Sequence, residues 1–287
     1  MTIARGRGRA VLLGAVGLVL SGLTACGSGS GGGPAPEPTP VPGATPGGKL
    51  TIGIAFDQPG IGLKQGDAVT GFDADTATYI AKALGVPPEN ITWKEAKGDE
   101  RQRLLDSGGA DLIVSTFTIT EERKQAVDFA GPYFVAHQDL LVRRNEEDIT
   151  GPETLTGKTL CSVPGTTSAD TIATRYGGTV RLKEFPRYSD CVTALAAGDV
   201  DAVTTDDVIL AGFASEPQYR GRLKLLGKGF TDERYGIGVR KGDTAMVQKV
   251  TAALQQYVAD GSWQRSLDAT VRPSGYSIPS PPTVGGP

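Results

Sequence analysis

Histidine is all but missing from this chain: a single one, His137, stands among 287 residues. That excludes every site built on two or more imidazoles, His-rich zinc catalysis and the H-E-x-x-H helix included. Basic charge is in no excess, with 29 Lys and Arg against 32 Asp and Glu and a net charge of −3. A broadly basic surface for nucleic acid or anionic membrane is thereby excluded. No apolar run reaches the roughly 20 residues of a transmembrane helix; the run Ala10 to Leu20 stops well short. From residue 49 onward there is no G-x-G-x-x-G, and nowhere a G-x-S-x-G or a C-x-x-C. The apolar content is nonetheless an ordinary 39%, in a length that holds two lobes, each with its own core.

What is present begins with an address. Arg5, Arg7 and Arg9 lead into the apolar run, the n-region and h-region of a secretory signal. The run closes on Leu23-Thr24-Ala25-Cys26 and Gly27, which resembles the lipobox of bacterial lipoproteins, whose cysteine is alkylated before cleavage. Residues 1–25 are therefore expected to be a lipoprotein signal peptide and Cys26 to be lipidated. A diacylglyceryl group supplies two acyl chains, enough for stable anchoring where one is marginal. Residues 26–48 follow as a lipid-anchored Gly/Ser/Pro linker, flexible where Gly and Ser dominate and extended where Pro does. Export also puts Cys161 and Cys191 where pairing is permitted. The residues alone leave open a disulfide or two separate buried thiols.

From Leu50 the hydrophobic period alternates between two and 3.6. Leu50–Ala55, Ile91–Trp93 and Asp111–Val114 read as strands. Between them fall a helix carrying Ala77, Ile80, Ala81 and Leu84, and a short one from Glu100 to Ser107. A second series begins near Lys158, with strands Thr159–Val163, Val180–Phe185 and Asp201–Thr204. Its helices are Ser168–Tyr176, Tyr188–Ala197 and Asp207–Phe213. Tyr235–Val239 reads as a last strand, followed by a helix with Met246, Val250, Ala253, Leu254 and Tyr257 on one face. The order βαβαβ argues for two α/β lobes with parallel sheets. The Pro-, Gly- and Ser-rich tail, 273–287, is expected to be loose or draped on the surface.

Several enzyme-like signals fail. Gly151 to Thr159 imitates a phosphate loop, but it has five residues between its glycines and leads into a strand rather than a helix N-terminus. The acids Asp199, Asp201, Asp206 and Asp207 lack the Gly and terminal Glu of a calcium loop. His137 has no serine elbow or metal partners around it and reads as a packed, hinge-adjacent residue. The positive signal is Ser115-Thr-Phe-Thr-Ile-Thr-Glu-Glu-Arg123, at the carboxyl end of a buried strand, where open α/β sheets bind ligands. Its hydroxyls and guanidinium offer forked, charge-assisted donors to a carboxylate. Equally, Thr120 can cap a helix with Arg123 on a solvated face.

The stretch D-L-I-V-S-T-F-T-I-T-E-E-R, followed by V-D-F-A-G-P-Y, resembles the family 3 extracellular solute-binding proteins of polar amino-acid ABC transporters. The resemblance spans roughly residues 49 to 270. It is strongest to actinobacterial glutamate-binding lipoproteins through F-D-Q-P-G-I-G-L, H-Q-D-L-L-V-R, L-C-S-V-P-G-T-T, V-D-A-V-T-T-D and F-T-D-E-R-Y-G-I-G. It implies an α/β, two-lobed, periplasmic-binding-protein-like (type 2) fold with two hinge crossings, closing on its ligand. Lobe 1 would be residues 50–135 and 235–272, and lobe 2 residues 136–234, with hinges near Tyr133–Asp139 and Phe230–Arg234. Those relatives carry cysteines at the positions of Cys161 and Cys191, which implies a disulfide here.

The resemblance also implies a ligand set. Arg123 and Thr118 match the positions that hold the α-carboxylate, and Thr116 matches a carbonyl that accepts from the α-ammonium. Across the cleft Thr166 and Thr167 open a helix whose free N–H groups suit a carboxylate. Asp206 matches the acid that pairs with the ammonium. Arg101, Tyr188 and Lys64 match side-chain contacts, Arg101 for a distal carboxylate. Gly98 stands near where glutamine-binding relatives place an aromatic over the ligand, which favours glutamate or aspartate. The implied protein is a monomeric receptor, lipid-anchored at the outer face of the cytoplasmic membrane. It would deliver an acidic amino acid to ABC permease subunits, with no cofactor, metal, catalytic residue or nucleic-acid partner. A receptor for glutamine or asparagine, and a cyclic-acid dehydratase on the same fold, are the alternatives.

Overall fold

The structure is a computed structural model and describes residues 36–286. The expected signal peptide, Cys26 and the linker up to residue 35 lie outside the described residues. The first lobe starts with β1 (Leu50–Ile54), a small meander β2 (Asp57–Gln58), β3 (Gly62–Gln65) and β4 (Ala68–Thr70), then α1 (Phe72–Ala83). It continues through β5 (Ile91–Glu95), α2 (Arg101–Asp106), β6 (Leu112–Ile113), α3 (Glu121–Ala126) and β7 (Val127–Ala136). The second lobe holds β8 (Gln138–Arg143), β9 (Thr159–Ser162), α4 (Thr167–Tyr176), β10 (Arg181–Glu184) and α5 (Tyr188–Ala197). After them come β11 (Ala202–Asp206), α6 (Asp207–Ser215) and β12 (Leu223–Leu225). The chain then returns as β13 (Glu233–Arg240), α7 (Thr244–Ala259) and α8 (Ser262–Thr270).

Each lobe is built on one five-stranded sheet, ordered β5-β1-β6-β13-β7 in the first and β10-β9-β11-β8-β12 in the second. The βαβαβ series are parallel as expected: β1 pairs parallel with β5 and β6, and β9 with β10 and β11. The sheets as wholes are mixed, which corrects the expectation of parallel sheets. β13 runs antiparallel to β6 and β7, and β8 antiparallel to β11 and β12. The cause is the chain path. After three strands it leaves the first sheet along β7, enters the second as β8 one residue later, and comes back as β13, so the crossing strands run against the series they join.

Burial explains why these segments form. Ile52, Ile54, Leu112, Ile113 and Val114 are fully buried, the continuous apolar pattern of strands covered on both faces. Helix α1 lays Ala77, Ile80 and Ala81 against them. An aromatic cluster of Phe72, Tyr133, Phe134, Tyr235 and Trp263 joins α1, β7, β13 and α8, and the Trp263 indole donates to the Tyr133 carbonyl at 2.7 Å.

Two segments read as peripheral are part of this body. Within the expected linker, Val41 is buried and its N–H donates to Ala83 O, while Glu37 pairs with Lys82 at 2.9 Å. One apolar side chain among prolines is enough to strap residues 36–48 onto the end of α1, because the extended Pro segment has little freedom to lose. The tail is draped rather than loose. Tyr276, Ile278 and Val284 pack against the core, and the Gly285 N–H donates to Gly131 O at 2.9 Å.

Cys161 on β9 and Cys191 on α5 form a disulfide 30 residues apart, which ties the helix that begins with Tyr188 to its sheet. A loop of that size contributes about 3 kcal/mol by restricting the unfolded chain. Reduction, or Cys161→Ser with Cys191→Ser, is expected to lower the melting midpoint by several degrees in calorimetry.

Candidate ligand-binding cleft

The cleft lies between the lobes, at the carboxyl ends of β6 and β11. On the first-lobe side, residues 115–118 leave β6 in a conformation that few side chains adopt. Thr116 has φ +42°, a left-handed value for a non-glycine residue. Its surroundings hold it there. The Thr116 N–H donates to the buried carboxylate of Asp73 at 2.9 Å, and Tyr133 Oη donates to the same carboxylate at 2.7 Å. Burial pushes the Asp73 pKa up to about 7, with those hydrogen bonds opposing it.

Two guanidiniums face the cleft from this side. Arg101, 4% exposed, donates from Nε to Gly98 O, from Nη1 to Ser115 O and Thr116 O, and from Nη2 to Gly165 O, all at 3.1–3.2 Å. Arg123 donates from Nη1 to Thr118 O at 2.8 Å and from Nη2 to the same Gly165 O at 3.0 Å. Both stand over the Phe117 ring, 4.5 and 4.9 Å from its centroid. Burial, then the neighbouring Arg123, pushes the Arg101 pKa down to about 9, still cationic at neutral pH. Thr120 does cap α3, accepting from the Arg123 N–H at 3.1 Å. The cap and the cleft position of Arg123 are therefore the same structure rather than rivals.

The second lobe presents the start of α4. Thr166 is its N-cap, accepting from the Ala169 N–H at 3.1 Å, and Thr167 Oγ1 donates to Glu233 Oε2 at 2.7 Å. Their hydroxyls are engaged, which leaves the first backbone N–H groups of the helix as the free donors. Asp206, at the end of β11, accepts from Tyr235 Oη at 2.6 Å through Oδ2. Its Oδ1 is buried with no hydrogen-bond partner among the described residues. Burial first, then the negative charge of Glu233, pushes its pKa up to about 8.

Arg101, Arg123, Thr116, Thr118, Thr166, Thr167, Tyr188 and Asp206 all line this one cleft. Lys64 does not. It sits exposed on β3, with its ammonium 4.9 Å from the Phe56 ring centroid, because the strand runs from buried Gly62 out into solvent at Lys64 and Gln65. Arg101, which composition alone could place on a solvated helix face, is instead locked by four backbone carbonyls. Gln58 escaped the sequence reading. Its Oε1 and the Tyr188 hydroxyl line the same cleft and are, like Asp206 Oδ1, buried without partners among the described residues. Three unsatisfied polar atoms converging on one space are what a polar ligand would satisfy. Among the described residues no group of three or more His, Cys, Asp or Glu is placed to hold a metal.

Two α/β lobes with a polar, charge-lined cleft between them define a solute-binding protein. The chain matches the model of the bacterial extracellular solute-binding proteins, family 3, over residues 50–269, and it belongs to that family. It is 39% identical over 267 residues to the glutamate-binding protein of Corynebacterium glutamicum, covering 89% of this chain and 88% of that one. It is 38% identical to the ABC transporter glutamine-binding protein of Bacillus subtilis, over 75% and 78% of the two chains. Among solved structures, an ancestral arginine-binding protein bound to glutamine superposes with a TM-score of 0.72 at 33% identity, covering 78% of this chain and 97% of that one. The fold is therefore the two-lobed type 2 fold, and the protein is a non-enzymatic amino-acid receptor.

Asp206 makes a testable signature. Its folded pKa lies above its ordinary value, so the bound proton stabilises the fold fully below about pH 4, and that contribution is lost as pH rises through about 8. In thermal melts without ligand, Asp206→Asn is expected to lose less stability between pH 5 and 9 than the parent chain.

Proposed function

We propose that the protein is the extracytoplasmic receptor of an ABC importer and that it captures glutamate or aspartate. The observation that carries the reading is which charges of the cleft are left for a ligand. Arg187 and Glu95 pair with each other at 2.7 Å and Asp57 accepts from the Ser189 N–H, whereas Lys97, Arg101 and Arg123 meet no carboxylate among the described residues and Asp206 keeps one unpartnered oxygen. An acidic amino acid is the complement, two carboxylates and one ammonium. Desolvated charges need such partners at both ends. Arg123, with Thr118 and the N–H groups at Thr166 and Thr167, takes the α-carboxylate. Asp206 and the Thr116 carbonyl take the ammonium. Arg101, with Tyr188 and Gln58, faces the side chain. Two relatives from Corynebacterium species named as glutamate-binding, each 39% identical, support the choice.

Glutamine is the second reading, and it has its own support. Glutamine-binding relatives are as similar at 38% and 39% identity, and the unpartnered Gln58 Oε1 would accept from a distal amide. The two readings part in titration calorimetry with L-glutamate, L-aspartate, L-glutamine and L-asparagine. Tight binding confined to the acids supports the first reading, and binding confined to the amides replaces it. Arg123→Ala is expected to remove binding of every amino acid, a loss of about 2–5 kcal/mol for an abandoned buried partner. Arg101→Ala should weaken the acids more than the amides, at some cost in stability, since four backbone carbonyls lose their donor.

Because the ammonium needs Asp206 ionised, binding should release a proton. Affinity is expected to fall as pH drops below about 8, by up to about tenfold per unit. The remainder of the reading is a monomer tethered by lipidated Cys26 to the outer face of the cytoplasmic membrane and serving a permease. Cys26→Ser cells are expected to shed the protein into the medium, which fractionation reads directly.

A further inference from the structure

We propose that Gly212, with Gly98 on the opposite rim, is a positioning residue of the cleft: its missing side chain lets the lobes meet, and so sets the affinity. This rests on the receptor reading above. Gly212 lies inside α6 of the second lobe, a helix interior in which alanine is the preferred residue. A Cβ at that position would stand 2.2 Å from the carbonyl oxygen of Pro59, in the first-lobe turn between β2 and β3. At the other rim, a Cβ on Gly98 of the first lobe would stand 2.4 Å from Pro164 O of the second. Its neighbour Gly165, at φ +71°, would place one 2.7 Å from Asp99 Cα.

In each case the obstacle is backbone, not the end of a side chain that can step aside. Van der Waals contact would require the two backbones to separate by on the order of 1 Å. The ligand groups lie between these rims, with Arg123 and Arg101 on one lobe and Asp206 on the other, so both rims must seat before one ligand touches both sides. Gly212 is not among the residues lining the cleft, and its effect on affinity can only come through closure. The lobes are joined by two crossings, so a side chain at 212 is relieved by opening rather than by unfolding. Opening lowers the competent fraction, and the apparent dissociation constant rises in proportion.

The test compares the purified protein with Gly212→Ala, Gly98→Ala and a control, Gly178→Ala, where a Cβ meets nothing within 4 Å. Calorimetry with L-glutamate and L-glutamine reads affinity, thermal melts without ligand read stability, and small-angle scattering reads the radius of gyration. The expected result is at least tenfold weaker binding in Gly212→Ala and Gly98→Ala. The Gly212→Ala melting midpoint should be no lower than the parent's, its radius larger, and the control unchanged. Binding by Gly212→Ala within twofold of the parent would overturn the proposal. So would a loss of affinity matched by a loss of stability, the mark of a purely structural glycine. If the parent binds neither amino acid the glutamate and glutamine readings fail on their own, and scattering alone then decides: equal radii reject the proposal and a larger Gly212→Ala radius upholds it.

Discussion

Two positive charges drawn out of water, Arg101 buried and Arg123 half-buried, govern how this molecule is put together. Arg101 and Arg123 stand over one ring, Phe117, and are removed from most of the water that would solvate them. Each N–H withdrawn from solvent must find an acceptor. Backbone carbonyls provide them: Gly98, Ser115 and Thr116 to Arg101, Thr118 to Arg123, and Gly165 of the opposite lobe to both. The strained turn at Thr116 follows from the same requirement. The loop bent that way presents two successive carbonyls to one Nη, and Asp73 and Tyr133 are buried beneath it to hold the bend. Part of the contact between the lobes thus runs through the guanidiniums of the cleft itself.

The negative half is arranged differently. Asp206 comes from the second lobe, but its hydroxyl partner, Tyr235, comes from β13 of the first, just past the return crossing. Glu233, two residues earlier, accepts from Thr167 at the start of α4 and from Thr231 in the crossing itself; Thr231 in turn accepts from the Gln138 N–H of the other crossing. One part-buried chain of hydrogen bonds therefore connects both crossings to the helix that faces the cleft. Networks of this kind hold their members to a single geometry when every group is satisfied. Two oxygens of these residues are left out, Gln138 Oε1 and Asp206 Oδ1, and of the two residues Asp206 lines the cleft.

The lobes were legible in the sequence because their series obey simple periods: Ile52 and Ile54 in a buried strand, Ala77, Ile80 and Ala81 on a helix face. The crossings were not. Gln138–Arg143 is buried along nearly its whole length and Val127–Ala136 mixes buried and half-buried positions irregularly, so neither shows the alternation that announces a strand, and their direction depends on partners distant in the sequence. Among site residues, Arg123 and Asp206 carry charges whose roles the resemblance names, whereas Gln58 and Glu233, although inside quoted motifs, are ordinary polar residues in short or crossing strands. Nothing local marks a polar side chain as buried and unpaired; only the assembled fold does. Lys64 failed for the converse reason, since a charge in a suitable loop says nothing about whether its strand runs along the cleft or out into solvent.

On the proposed reading, affinity and selectivity arise from separate parts of the cleft. The ammonium and α-carboxylate ends would be held by charges that any amino acid meets, Asp206 and Arg123. Discrimination falls to the side-chain end, where Arg101 supplies positive charge but has four of its five N–H groups committed to carbonyls. Such a guanidinium acts on a distal group more through its field than through a forked pair of bonds. Geometry is left to the uncommitted atoms, the Tyr188 hydroxyl and Gln58 Oε1. A hydroxyl can donate to a carboxylate or accept from an amide, but Oε1 only accepts, although rotating the Gln58 amide by half a turn exchanges it for a donor. A field that favours anions, combined with an amide that can present either edge, is a physical route by which closely similar members of one family come to differ between glutamate and glutamine without exchanging their charged residues.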